Sequence, residues 1–242
     1  MYENVIAELA PNGTLRAGIN MSNPLLVTSE AANGDPAGVS PDMARAIAER
    51  LGVAVKYVPF PSPGLLADAV GEDAYDIGLI AAEPARAETI AFTDAYVEIE
   101  ATYLVAEGSP LQVIADVDRP GIKIAVSGRS AYDLYLTRTL EHGELVRAKG
   151  LGGALALFKD EKLDALAGLR PALNDDVKKM PGARIMDGRY TTVQQAIGTQ
   201  PQNTAAAAFL QAFVTEAKAS GLVAGFIEKH GVEGRLLVAS GD

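Results

Sequence analysis

Two short segments of the chain carry residue types that bind small anions, and the first contains Arg86. Arg86 lies in AAEPARAETIAFTDAY, just after an apolar run at residues 76–81. Its planar guanidinium can hold a carboxylate through two parallel hydrogen bonds. The alternative is an exposed arginine paired with Glu83 or Glu88, and the charge pattern by itself favours that alternative.

The second segment is SGRSAYD, in which Ser127, Gly128, Arg129 and Ser130 form a predicted turn from a strand into a helix. Ser130 is the expected N-cap, and the first amides of the helix would point at a bound anion. The alternative is an ordinary turn in which Asp133 completes a box-like cap with Ser130. Neither GxGxxG nor Walker A spacing occurs, so the sequence does not indicate a nucleotide.

The composition is that of a globular protein and narrows the possible partners. The 242 residues are 48% hydrophobic and 21% charged, which excludes disordered, collagen-like and disulfide-stapled classes. The net charge of -10 has the wrong sign for binding nucleic acid or an anionic membrane surface. There is no cysteine, and the two histidines, His142 and His230, are far apart in the sequence. We therefore expect no metal site and no cofactor.

No segment has the length or composition of a membrane anchor or an export signal. The longest apolar runs, such as residues 77–82, are far shorter than the roughly 20 residues that a spanning helix needs. The start, MYENVIAELAPNG, lacks the basic and apolar regions of a signal peptide. Two interpretations stay open: a cytosolic protein, or the mature form of an exported one.

The first half of the chain alternates between strand-like and helix-like apolar periodicity, which indicates the α/β class. We predict a strand at residues 15–19, a loop over 20–38, and a helix with Ser40 as N-cap, Pro41 at its first position and Gly52 after its end. A strand at 53–58, a short helix at 63–70 and a buried strand at 76–81 complete a βαβαβ unit.

The second half repeats this plan. Its predicted elements are a strand at 122–126, a helix at 131–140, a strand at 144–148, a helix at 153–159, a strand at 163–167, a helix at 171–179 and a short strand near 183–186. Residues 191–200 are predicted to be an extended connector, and two amphipathic helices follow at about 203–219 and 222–229.

The connections between the two halves suggest a hinged pair of lobes. Residues 99–105 and 192–198 have strand character and are candidates for two chain crossings. In this geometry a ligand is expected in the cleft, beyond the carboxyl ends of the parallel strands and near helix N-termini.

Five segments, taken in order, make the chain resemble the family 3 bacterial extracellular solute-binding proteins, which serve polar amino-acid ABC transporters. These segments are GTLRAGIN, GVSPDMARAIAERLGV, YDIGLIAAEPARAETIAFTDAYV, GIKIAVSGRSAYDLYL and LDALAG. The resemblance implies the type II periplasmic binding fold, an α/β architecture of two βαβ lobes joined by two hinge strands. Lobe 1 is then expected over residues 1–102 and 199–242, and lobe 2 over 103–198.

The resemblance also assigns roles to the two anion-binding segments. In the family, the arginine six residues before a Phe-Thr or Phe-Ser pair holds the ligand's α-carboxylate, and that spacing places Arg86 before Phe92 and Thr93. This assignment reverses the preference for an exposed Arg86. The family's anion turn has a glycine and two hydroxyl residues, whereas here Gly128 is followed by Arg129 and then by a serine.

The chain departs from the family pattern where the ligand's other groups would bind. The Ser and Thr residues usual before the arginine are replaced by Gly78, Ala81, Ala82 and Glu83. The acid that grips the ammonium of an α-amino acid is replaced by Leu169, with Arg170 next. A buried ammonium without a carboxylate is costly, so an ordinary amino acid would need another acid: Glu83, Glu98 or Glu100.

Without that acid, two interpretations of the arginines stay open. Arg86, Arg129 and Arg170 could surround a ligand with more than one anionic group, or an organic acid. Alternatively, Arg129 and Arg170 are solvated residues at the rim.

Further candidate ligand contacts come from loops and from the second crossing strand. Asn23 and Leu25 lie where the family's ligand-wall residues lie, although a plain loop is the alternative. Tyr132 could reach the cleft or pack against its own lobe. Gln194 and Gln195 alternate faces, so at most one should face the cleft.

The leading hypothesis is a monomeric, non-enzymatic binding protein that closes on a small carboxylate and delivers it to an ABC permease, which implies a periplasmic location. The first alternative is an enzyme resembling the cyclohexadienyl dehydratases, which would need a cleft acid of raised pKa among Glu83, Glu98 and Glu100. The second alternative is a cytosolic sensor or scavenger.

Overall fold

The computed structural model describes residues 2–240, which form an alternating series of helices and strands. The helices are α1 (Glu3–Leu9), α2 (Val39–Leu51), α3 (Pro63–Asp68), α4 (Pro84–Ala87), α5 (Ala131–Thr139), α6 (Gly150–Asp160), α7 (Arg170–Asp176), α8 (Thr204–Ala219) and α9 (Leu222–Lys229). The strands are β1 (Thr14–Asn20), β2 (Ser29–Glu30), β3 (Pro36–Ala37), β4 (Ala54–Phe60), β5 (Ile77–Ala81), β6 (Ala91–Phe92), β7 (Val97–Val105), β8 (Lys123–Ser127), β9 (Glu144–Ala148), β10 (Ala165–Leu169), β11 (Arg184–Ile185), β12 (Thr191–Thr199) and β13 (Leu237–Val238).

The chain divides into two compact units, as expected for the predicted α/β architecture. Unit 1 comprises Met1–Glu98 and Gln194–Asp242, and unit 2 comprises Ile99–Val193. The chain therefore passes between the units twice, within β7 and within β12. The boundaries expected from the sequence, at 102–103 and 198–199, lie in the same two strands. Residues 1, 241 and 242 of the predicted lobe 1 lie outside the described residues.

Unit 1 is built on a largely parallel sheet. β1 pairs in parallel with β4 and with β5, and the unit 1 portion of β12 runs antiparallel to β5, with Gln195 opposite Ala81. All residues of β5 are buried. Since parallel strands end together, the carboxyl ends of β1 and β5 lie at one edge of this sheet.

Helix α2 covers this sheet with the apolar face that the sequence predicts. Met43, Ile47 and Leu51 are buried on that face, and Gly52 ends the helix in the left-handed region. The prediction that Ser40 is the N-cap is wrong. The helix begins at Val39, one residue before Ser40, and Gly38 occupies the cap position. The Ser40 hydroxyl instead lies 2.7 Å from the Tyr96 hydroxyl, and both residues are buried.

Unit 2 repeats the arrangement on a smaller scale. β8 pairs in parallel with β9 and β10, and β10 runs antiparallel to β7. Its core lies between the sheet and the helices α6 and α7 and contains Leu104, Ala125, Ala154, Phe158, Leu163, Leu166 and Leu173. The strand at 144–148 and the helix at 222–229 have the predicted limits, and most other predicted elements shift by one to three residues.

Several elements differ from the sequence-based expectation. The loop 20–38 contains the two-stranded β2–β3 hairpin, and helix α1 lies in a segment for which no element was expected. The helix expected at 171–179 is α7 followed by a 3-10 turn. These elements are short, so they depend on tertiary contacts more than on periodicity.

Asp42 ties the start of α2 to the end of α9. The buried carboxylate accepts hydrogen bonds from Lys229 Nζ at 2.7 Å and Arg45 at 2.7 Å, and His230 Nε2 lies at 2.8 Å. Burial raises the pKa of Asp42. The hydrogen bonds from Lys229 and His230 lower it, and together the effects leave the pKa below its ordinary value. The ionised carboxylate therefore stabilises the native state.

We expect the free energy of unfolding to depend on pH through Asp42. Because its native pKa is lowered, its contribution is present above the ordinary pKa of about 4 and is lost as the pH falls through the lower native pKa. Asp42→Asn should cost about 1–3 kcal/mol at pH 7 and much less at about pH 3. Urea unfolding of both proteins at the two pH values measures this. A cost that is equal at both would contradict the assignment.

Candidate functional site

Arg86 lies in a buried position at the carboxyl end of β5. Arg86 lies in the short helix α4, which follows that strand. Its Nη1 donates a 2.8 Å hydrogen bond to the carbonyl oxygen of Ala81. Only 5% of the residue is exposed. The exposed arginine that charge pattern alone favoured is therefore not what the structure shows. The carbonyl fixes the guanidinium at the edge of the sheet.

Gly78, on β5 before Arg86, is closely surrounded by other side chains. A Cβ atom on Gly78 would lie 2.9 Å from the Leu66 side chain and 3.1 Å from the Tyr75 ring, so a serine or threonine there would require these two side chains to shift. Ala81 is buried, and Glu83 is half-buried at the N-cap position of α4. Packing thus explains the loss of a hydroxyl at Gly78, one of the departures from the family pattern.

The loop after β1 is held by its own side chains. Asn23 is buried, and its Oδ1 accepts a hydrogen bond from the Leu25 amide at 3.0 Å. Leu25 is only 2% exposed, so its side chain packs inside unit 1. Asn23 is therefore held by a hydrogen bond within a local turn, whereas Leu25 is held by burial of its side chain.

In unit 2, the predicted N-cap of α5 is confirmed. Ser130 Oγ accepts from the Asp133 amide at 3.1 Å, and Asp133 Oδ2 accepts from the Arg129 amide at 2.6 Å. The Gly128 amide donates to the Ala148 carbonyl at 2.9 Å. The Ser130 amide donates to the Ser127 carbonyl at 3.3 Å, so three amides of the predicted anion turn are used within the protein. The hydrogen bond between Ser130 and Asp133 fits the box-like cap considered as the alternative.

Asp133 organises the rest of this turn. It is 3% exposed and forms an ion pair with Arg147, whose Nε lies 2.9 Å from Oδ1. Arg129 adopts a φ of 62°, and its side chain is exposed. Tyr132 is buried, and its hydroxyl interacts with the side chains of Ser127 and Ser130. Tyr132 thus packs within its own unit.

The N-cap at Ser130 should have a measurable effect on stability. Ser130→Ala removes the acceptor of the Asp133 amide in a buried turn, and we expect a loss of about 1 kcal/mol in the free energy of unfolding. Ser62→Ala is the matched control, because Ser62 caps α3 through a longer 3.3 Å hydrogen bond in an exposed position. Urea unfolding compares them. An effect of Ser130→Ala no larger than that of the control would contradict the expectation.

Arg170 is half-buried and belongs to an ion-pair network. Its Nε lies 2.7 Å from Glu100 Oε2, and Arg189 NH1 lies 2.8 Å from Glu100 Oε1. Arg170 also donates to the Gly188 carbonyl. Leu169, the last residue of β10, is 6% exposed. The position that holds the ammonium-binding acid in the family is therefore occupied here by the apolar Leu169, and the next residue is an arginine in an ion pair.

Glu100 is poorly suited to act as an acid. The hydrogen bond from Arg189 lowers its pKa, burial raises it, and the hydrogen bond from Arg170 lowers it again, with a lowered pKa as the result. A general acid that protonates a leaving hydroxyl needs a raised pKa instead. Glu100 therefore fits the role of a general acid poorly in this ion-pair network.

Gln195 is a candidate that the sequence marked only as one of an alternating pair. It is 4% exposed, and its Oε1 is buried without a hydrogen-bond partner among residues 2–240. Its neighbour Gln194 donates from Nε2 to Glu98 Oε2 at 3.0 Å. Alternation along a strand predicts that the two differ, but only the packing shows which one is buried.

Two further properties of the described residues concern metal-binding clusters and membrane-spanning helices. Across residues 2–240, no cluster of three or more His, Asp or Glu side chains could hold a metal ion. In the same residues, no helix has the length and apolar character required to cross a membrane.

The chain matches one protein family and many solved structures. The model for "Bacterial extracellular solute-binding proteins, family 3" matches residues 15–233. No curated protein sequence matches. The structure is similar to holo ArgBP from T. maritima, at 24% identity and a TM-score of 0.72, with 93% of this chain and 98% of that chain covered.

Two further structures show the same likeness. The ancestral amino acid-binding protein AncCDT-1, described as a precursor of cyclohexadienyl dehydratase, has 21% identity and a TM-score of 0.74, with 93% of this chain and 98% of that chain covered. The ABC transporter substrate-binding protein AbpA from Streptococcus pneumoniae, bound to L-arginine, has 18% identity and a TM-score of 0.75, with 93% of this chain and 97% of that chain covered. At these identities the likeness concerns the fold.

Proposed function

Because the chain belongs to the bacterial extracellular solute-binding proteins, family 3, we propose that it captures a small carboxylate and delivers it to an ABC transporter in the periplasm. Arg86, in unit 1, holds the carboxylate. The ligand stabilises one arrangement of the protein only if it binds that arrangement better than the others. The protein acts without catalysis and as a monomer.

The observation that carries this proposal is the buried guanidinium of Arg86. A hydrogen bond to the last carbonyl of β5 sets its position before any ligand arrives. Charge-assisted, bidentate hydrogen bonds from arginine to a carboxylate are among the strongest in proteins, and preorganisation reduces the cost of making them. A small carboxylate is the ligand class that this geometry favours.

The loss of the family's ammonium-binding acid supports an organic acid or an amino-acid derivative over an ordinary α-amino acid. Leu169 offers no negative charge to an ammonium group, and Glu100 is already paired with two arginines. An ammonium group buried without a counter-charge would be costly, by several kcal/mol or more.

The dehydratase alternative has less support. Its acid would have to be Glu83 or Glu98, since the pKa of Glu100 is shifted in the wrong direction. Its support is the similarity in fold to AncCDT-1, which is described as a precursor of cyclohexadienyl dehydratase. Turnover of prephenate or arogenate by the purified protein would favour the enzyme, whereas full recovery of the substrate would exclude that activity.

A thermal-shift panel tests the binding proposal. The panel contains α-amino acids, N-acyl amino acids, 2-hydroxy acids, dicarboxylates, aromatic acids and small sulfonates. A ligand at about 100 times its dissociation constant stabilises the protein by roughly 2.7 kcal/mol, which should raise the melting temperature by several degrees. A panel in which no carboxylate raises the melting temperature would contradict the proposed function.

A further inference from the structure

The side chain of Gln195 is buried at a cost that the fold does not recover. Its Oε1 has no hydrogen-bond partner among residues 2–240, and the residue is 4% exposed. Burying an acceptor without a donor is unfavourable, because the hydrogen bonds that it makes with water in the unfolded chain are lost. Gln194, one residue earlier, is partly buried and has a partner in Glu98 at 3.0 Å. Of the two glutamines on β12, Gln195 is the one with a buried side-chain atom that lacks a partner.

Gln195 lies next to the residue that positions Arg86. In the antiparallel pairing of β12 with β5, Gln195 is directly opposite Ala81, whose carbonyl accepts the hydrogen bond from Arg86. Directly opposed residues have Cα atoms about 4.5–5.5 Å apart and place their side chains on the same face of the sheet. All three residues belong to unit 1. The carboxamide thus lies on the same face of the sheet as the Ala81 side chain, one strand away from the residue whose carbonyl holds Arg86.

The chemistry of the carboxamide limits what it can recognise. Its oxygen accepts one or two hydrogen bonds but carries no net charge. A neutral O–H or N–H donor needs only such an acceptor, whereas an ammonium group needs a counter-charge when it is buried. A binding site loses much of its affinity for an analogue that lacks the donor, because the buried acceptor is then left unpaired.

We propose that Gln195 is a specificity-determining residue that accepts a hydrogen bond from a neutral donor adjacent to the ligand's carboxylate. The substrate class is then a 2-hydroxy acid or an N-acylated amino acid. This inference rests on the proposed function, since it requires the carboxylate to be held by Arg86. It adds the group that the ligand carries next to that carboxylate.

Small fragments that differ in one group test the inference. Acetate, glycolate and glycine share a carboxylate and differ by a hydrogen, a hydroxyl or an ammonium at the adjacent carbon. The protein is labelled with ¹⁵N at its arginine and glutamine side chains, and there are only six glutamines to resolve. Gln195→Leu assigns the Gln195 resonance and removes the acceptor, and Gln194→Leu is the matched control on the same strand.

We expect acetate to shift the Arg86 resonance and glycolate to shift both Arg86 and Gln195. Glycolate should bind roughly tenfold tighter than acetate and tighter than glycine, in wild type and in Gln194→Leu. In Gln195→Leu the difference between glycolate and acetate should disappear. Gln195→Leu should also unfold at a higher temperature than wild type without ligand, because it removes the unpaired acceptor.

The outcomes separate this inference from the proposed function. If Arg86 responds and Gln195 does not, or if glycine binds tighter than glycolate, the inference is wrong and the carboxylate site stands. If Arg86 responds to none of the three fragments, both are wrong. A lower melting temperature for ligand-free Gln195→Leu would show that the amide has a structural role, which also overturns the inference.

Discussion

Arg86→Ala is expected to lower the affinity for a carboxylate ligand by about 100-fold or more. Arg86 is buried, and the substitution would remove the proposed bidentate, charge-assisted contact with the ligand. Truncating one partner of such a pair costs about 2–5 kcal/mol. Isothermal titration calorimetry with the ligand identified in the thermal-shift panel measures the change. Because the effect falls on the charged contact itself, it should appear with every carboxylate that binds.

Two further variants distinguish a binding defect from a folding defect. Arg86→Lys keeps the charge but loses the planar fork, so it should fold and bind with intermediate affinity. Arg50→Ala removes an arginine that pairs with Glu216 on the exposed surface of unit 1, and it should bind as wild type does. A folded Arg86→Ala protein with wild-type affinity would contradict the proposal that Arg86 binds the ligand's carboxylate.

The second large effect is expected at Gly38, where the backbone passes too close to another segment for any side chain. A Cβ atom at this position would lie 2.1 Å from the carbonyl oxygen of Leu26, and φ is 155°. The neighbouring amide of Ser40 donates to the same carbonyl at 3.2 Å. Gly38→Ala should therefore destabilise the protein by about 3 kcal/mol or more, because backbone must move.

Gly52→Ala provides the matched control for that experiment. Gly52 also has a positive φ, of 70°, but no atom lies within 4 Å of the place that a Cβ would occupy there. It should cost only the roughly 1–2 kcal/mol of left-handed backbone strain. Urea unfolding of both variants gives the comparison. Equal costs would mean that the contact with Leu26, and with it the anchoring of the loop that carries Asn23, contributes nothing.

The local sequence determined the elements whose signals are local. Alternating and 3.6-residue periodicity located β9 and α9 at their observed limits, because each pattern depends on neighbours in the chain. The Ser130 cap followed from the spacing of Ser130 and Asp133 within a single helical turn. Net charge and the lack of cysteine restricted the class of partner in the same way. These features need no knowledge of distant residues.

The tertiary structure decided which side chains are buried and what they contact. Ser40 pairs with Tyr96 instead of capping α2, and Arg170 pairs with Glu100, across 56 and 70 residues of sequence. Gln195 acquires a buried acceptor without a donor only because β12 packs beside β5. Burial and hydrogen-bond partners arise from contacts between segments far apart in the chain, and no local pattern encodes those contacts.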